Sequence, residues 1–103
     1  MRLVIATVPT HRAPELARNL VEERLAACVN IVPKVRSIYL WEGKIEDELE
    51  ALLLIKTTSK RVDALTAHIK TLHPYDVPEI ISVEINKKEG NSEYLKWVTE
   101  VVG

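Results

Sequence analysis

Apolar and polar positions repeat with two different periods along this chain, and each change of period marks an element. Leu3 to Val8 is short, β-branched and apolar on both sides, with Pro9-Thr10 closing it, which predicts a buried strand and a turn. Pro14 suits a first helical turn. Leu16, Ala17, Leu20, Val21 and Leu25 then recur at three- and four-residue spacing, while Glu15, Arg18, Glu22 and Glu23 fall opposite, so an amphipathic helix follows. Cys28 to Val32 returns to a strand, which Pro33 interrupts before it resumes from Val35 to Trp41; a bulge or edge position is expected near Pro33. Glu42-Gly43 predicts a turn, and Lys44 to Thr57 returns as the second arm of a long hairpin. Ser59 is placed to cap a helix carrying Val62, Leu65, Ile69 and Leu72 on one face, and Pro74 stops it because the residue before proline avoids helical angles. Glu79 to Ile85 reads as the last strand, and Gly90-Asn91 introduces a final helix with Tyr94, Leu95, Val98, Val101 and Val102 at helical spacing.

The resulting order, β-α-β-β-α-β-α, is that of a ferredoxin-like α+β sandwich with an extra C-terminal helix. Helices on one face of a sheet call for strands that alternate apolar and polar. Instead Leu3 to Ala6, Val29 with Ile31 and Val32, Ala51 to Ile55, and Ile80-Ile81 with Val83 are apolar on both faces. A second apolar sheet face needs a cover, and self-association is the expected one. The hairpin arms also exceed the usual strand of about five or six residues and should project. Their tip places Tyr39 and Trp41 on one face and Ile38 and Leu40 on the other, a concentration suited to a neighbouring subunit.

Composition narrows the classes. At 103 residues the chain is expected to form a single domain, residues 1–103, large enough to fold around its own core. Fourteen Lys and Arg against fifteen Asp and Glu give a net charge of −1, without the basic surplus that phosphate neutralisation requires, so nucleic acid is not an expected partner. A single cysteine excludes an internal disulfide and fits a reducing, cytoplasmic location. No apolar run approaches the ~20 residues of a membrane span, so no membrane association is expected.

Few constellations carry chemistry. Thiolate and imidazole select copper or zinc, so Cys28 with His11, His68 or His73 could form a soft metal site, although no two of them have ligand spacing. The alternative roles are a small apolar residue at a strand start for Cys28 and a helix C-terminal position for His73. The run Glu42, Glu46, Asp47, Glu48, Glu50 reads as a solvated, charge-protected hairpin edge rather than a hard-cation loop. Pro9-Thr10-His11-Arg12 lacks the glycines of a phosphate loop. No serine, cysteine or carboxylate stands at motif spacing from a base, so no enzymatic activity is expected.

Several segments are distinctive as words: Ala26-Ala27-Cys28-Val29-Asn30-Ile31, Ser37-Ile38-Tyr39-Leu40-Trp41-Glu42-Gly43-Lys44-Ile45, Leu54-Ile55-Lys56-Thr57, His73-Pro74-Tyr75-Asp76-Val77-Pro78-Glu79-Ile80 and Tyr94-Leu95-Lys96-Trp97. Together they resemble the CutA family of divalent-cation tolerance proteins, over nearly the whole chain and in family order. The resemblance implies a homotrimer similar to the PII signalling proteins, a response to metal ions, and binding of copper or another divalent ion without an organic cofactor. It implies Cys28, His73 and Glu79 as the metal ligands. The other reading is a PII-like trimeric scaffold whose clefts between subunits, lined by Tyr39, Trp41 and Tyr75, take a small molecule or a partner protein.

Overall fold

A computed structural model describes residues 1–103. The strands β1 (Arg2–Val8), β2 (Cys28–Trp41), β3 (Lys44–Thr57) and β4 (Ile80–Glu84) form one antiparallel sheet in the order β2-β3-β1-β4. Helices α1 (Ala13–Glu22) and α2 (Val62–Leu72) connect the strands, and α3 (Ser92–Val102) ends the chain. This is the ferredoxin-like α+β order that the periodicity predicts.

Alternation along the strands divides the sheet into two faces. Val4, Ala6 and Val8 of β1 and Ala51, Leu53 and Ile55 of β3 are buried with Leu16 and Leu20 of α1 and Leu65 and Ile69 of α2, which makes this the helix-covered face. The intervening residues Leu3, Ile5, Leu52 and Leu54 turn to the opposite face, as do Ile81 and Val83 of β4, which are 53% and 51% exposed. The helix α3 builds a smaller cluster of its own, with Val98 and Val102 on Met1 and Ala27.

Element ends depart from the sequence reading in four places. The helix α1 stops at Glu22, because Arg24 takes a left-handed φ of 56° and reverses the chain; Leu25 therefore reaches the core from a turn, its N–H donating to the Leu20 carbonyl at 3.0 Å. Ser59 caps nothing. It lies within a 3-10 turn, Ser59–Arg61, whose own backbone bonds occupy the first donors, including Arg61 N–H to the Thr58 carbonyl at 3.0 Å. The first strand begins one residue early, at Arg2, and β4 excludes both Glu79 and Ile85. The cap expected at Asn91 is present: its Oδ1 accepts the Glu93 N–H at 3.0 Å.

The hairpin has arms of 14 residues each and carries the molecule to a length of 45 Å against 26 and 22 Å across. Glu42 and Gly43 both have positive φ, 49° and 79°, the signature of the two-residue turn whose twist matches that of paired strands. Register shifts between Val32 and Val35, so the strand bulges at Pro33 on the sheet's edge, where a missing N–H costs no ladder bond. Past this bulge Ser37, Tyr39 and Trp41 stand opposite Glu48, Glu46 and Lys44 on the open face. The other face presents Ile38, Leu40, Ile45 and Leu49, all more than half exposed.

Candidate functional site

The loop between α2 and β4 is positioned by His73. This residue is the C-cap of α2, its own N–H donating to the Ile69 carbonyl at 2.9 Å. Its ring is buried and doubly engaged. The Thr7 carbonyl lies 2.7 Å from Nε2, so Nε2 carries the proton and donates; the Tyr75 N–H donates to Nδ1 at 3.1 Å. The imidazole thereby spends both nitrogens on pinning the Pro74–Glu79 loop to the end of β1. The Tyr75 ring packs against it at a tilt, with centroids 4.7 Å apart.

That loop overhangs the open face of the hairpin. Between them lies a groove of about 870 Å³, bordered by Tyr39, Trp41, Glu46, Glu48 and Glu50 on the hairpin side and by Tyr75, Asp76 and Glu79 on the loop side. Glu50 is the innermost of its carboxylates, only 4% exposed. Its Oε2 accepts the Tyr75 hydroxyl at 3.1 Å, and no cation pairs with it. Burial, and then the Glu50 charge, push the Tyr75 phenol from 10.0 up to about 12, which keeps it a donor. Tyr39 donates to Glu48 Oε2 at 3.1 Å, and its phenol is likewise raised, first by burial and then by that bond. On the hairpin's outer side Arg36 grips Asp47 through two bonds of 2.8 and 2.6 Å, which hold the Asp47 carboxyl below its usual range.

The structure places the expected site residues in separate surroundings. Cys28 begins β2 opposite Lys56, whose ammonium is 4.0 Å from Sγ, and Lys56 in turn faces Leu3. His73 is anchored at Thr7, four residues further along β1, which is about 13 Å of strand. Glu79 is exposed on the groove rim. Within one chain no three His, Cys, Asp or Glu side chains converge on a point that could hold a metal. His68 bonds Asn19 between the two helices, and His11 is exposed in the 3-10 turn before α1. Tyr39, Trp41 and Tyr75, by contrast, do share one groove. Glu50 is the residue that sequence reasoning misplaced: it belongs to this groove and not to a solvated edge, because the distant loop closes over it. Its one local signal is the Glu46, Glu48, Glu50 alternation, which sets all three on one strand face.

Fold and groove define the class, a PII-like α+β protein. Those words describe the PII-like CutA of Nostoc sp. PCC 7120 in apo form, which this chain matches at a TM-score of 0.94 and 33% identity, over all of this chain and 98% of that one. The chain belongs to the CutA1 divalent ion tolerance protein family, whose model matches residues 2–101. It is 51% identical over 102 residues to the divalent-cation tolerance protein CutA of Thermus thermophilus, covering 98% of this chain and 97% of that protein. The solved divalent cation tolerance protein from Thermus thermophilus gives a TM-score of 0.94 at 50% identity, with full coverage of both chains. The human protein CutA is 49% identical over 92% of this chain, and the Xenopus laevis homologue 52% over 87%. The chain spans 52% and 58% of the length of those two relatives.

Proposed function

We propose that this chain is one CutA-like domain, residues 1–103, and the subunit of a homotrimer that serves the divalent-cation response by binding rather than by catalysis, in the cytoplasm. One observation carries the reading: the sheet has an apolar face, with Leu3, Ile5, Leu52, Leu54, Ile81 and Val83, that no helix of its own α1–α2 layer covers, and the other face of the projecting hairpin leaves Ile38, Leu40, Ile45 and Leu49 exposed. Uncovered apolar surface on this scale marks an association site. Three copies is the number that the likeness to PII signalling proteins implies. No helix is long and apolar enough to cross a membrane.

Copper or another divalent ion is the proposed ligand, with Cys28, His73 and Glu79 as ligand positions contributed across subunit boundaries. Cys28 supplies the soft donor. His73 joins only by releasing Thr7 or Tyr75, since both its nitrogens are in use. Titration of metal-stripped protein with copper and zinc under reducing conditions, beside Cys28→Ser, tests the assignment. Saturable binding near one ion per chain or per trimer, lost in the variant while the oligomer persists, is the expected result; binding that is absent or unchanged in the variant overturns it. A second reading, a scaffold that takes a small molecule in its clefts, is favoured by the groove that gathers Tyr39, Trp41 and Tyr75.

A further inference from the structure

Helix α3 is joined to the sandwich by little. The main core of 13 buried residues contains none of its side chains; Val98 and Val102 pack instead with Met1 and Ala27, edged by Ile85. Much of its remaining stabilisation is internal, since the Asn91 cap, the Lys96–Glu100 pair and the Tyr94–Trp97 ring contact all lie within residues 91–100. The order β1-α1-β2-β3-α2-β4 is complete before α3 begins, so its release unpairs no strand. Gly90, at a φ of 89° with open space around it, connects the two.

The far end of α3 is held by two arginines. Arg61 donates from Nε to the Val102 carbonyl at 2.9 Å, and the Arg24 guanidinium donates to the Val101 carbonyl at 3.4 Å. Neither arginine pairs with a carboxylate, and cations suit the negative pole of a helix C-terminus. Arg24 stands where glycine is expected. Beyond α1 the Arg24 N–H donates to the Val21 carbonyl and the Leu25 N–H to that of Leu20, both at 3.0 Å, the double bond of a left-handed helix stop. Glycine takes that position without strain, whereas Arg24 holds a φ of 56° with a Cβ in the way. The turn alone would be better served by glycine; what arginine adds is reach to the end of α3, 77 residues away.

We infer that α3 is a strap that opens by itself while the sandwich stays folded, and that Arg61 and Arg24 are its latch, Arg24 giving up turn stability to hold it. A helix of 11 residues is marginal in water, so the released strap unwinds and uncovers Met1 and Ala27. The inference stands apart from the metal positions and from the groove.

Hydrogen exchange of the intact protein, read segment by segment by mass spectrometry where rates report opening equilibria, provides the test. Residues 92–102 should exchange at least about tenfold faster than β1 and β3. Ile69→Val, a mild trim of the main core, should speed β1 and β3 by about fivefold and leave 92–102 unchanged, because that core is intact when only the strap is open. Arg61→Met, which keeps the bulk without the charge, should speed 92–102 by about tenfold. Arg24→Gly should move the two regions in opposite directions: about threefold faster in 92–102, which loses its contact, and about threefold slower in β1 and β3, which gain from the relaxed turn. Protection of 92–102 equal to that of β1 and β3, as when a second copy clamps the helix, would overturn the inference. So would an equal effect of Ile69→Val on both regions, or exchange of 92–102 unaltered by Arg61→Met and Arg24→Gly.

Discussion

A histidine, a tyrosine and a glutamate set the chemistry of the groove. His73 spends both ring nitrogens on backbone groups, Tyr75 follows it by two residues, and the Tyr75 hydroxyl closes on Glu50. The Tyr75 phenol is raised to about 12 in the folded protein from an ordinary 10.0. A group whose folded value is raised contributes its stability below the unfolded value and loses it as pH climbs through the folded one. Tyr75 should therefore support folding fully below pH 10 and cease to do so between about 10 and 12. Following tyrosinate absorbance with pH should show the three tyrosines ionising later than free tyrosine, Tyr75 at about 12, and Glu50→Gln should bring Tyr75 earlier by removing the charge. No change in Glu50→Gln would detach Tyr75 from Glu50. At this scale the chain was only half legible. His73 could be placed at a helix end from Pro74 alone, whereas the burial of Glu50 depends on a loop 25 residues away meeting it, which no local pattern encodes.

The hairpin is the element on which the groove depends. Its two-residue turn puts a glutamate and a glycine in left-handed conformation, the geometry whose twist matches that of paired strands. Gly43→Ala meets no neighbouring atom but must hold φ at +79°, so it should destabilise the protein by about 1–2 kcal/mol in chemical denaturation. Glu42→Asn should act in the opposite direction, since Asn tolerates positive φ. An unchanged midpoint in Gly43→Ala would show the turn to be free to adopt another form. Strand and helix order was readable because period two and period 3.6 differ over whole elements. Their ends were less so: Arg24 reverses the chain without a glycine to announce it, and the 3-10 turn at Ser59–Arg61 satisfies its donors by backbone geometry that a capping residue only imitates.

The whole molecule is a ferredoxin-like sandwich with one layer missing. Apolar residues on both sides of each strand were visible in the sequence as a demand for a second cover, and the structure locates that demand at Leu3, Ile5, Leu52, Leu54, Ile81 and Val83. The proposed answer is a further copy of this chain, which would take the exposed Ile81 and Val83 out of water. Self-association was already the expected cover in the sequence, whereas the outline of the face was not, since it is assembled from three strands far apart in residue order. Light scattering of the purified protein diluted to micromolar concentration measures this directly. The account predicts a mass of three times the 11.7 kDa chain that persists on dilution; a monomer of 11.7 kDa would contradict it.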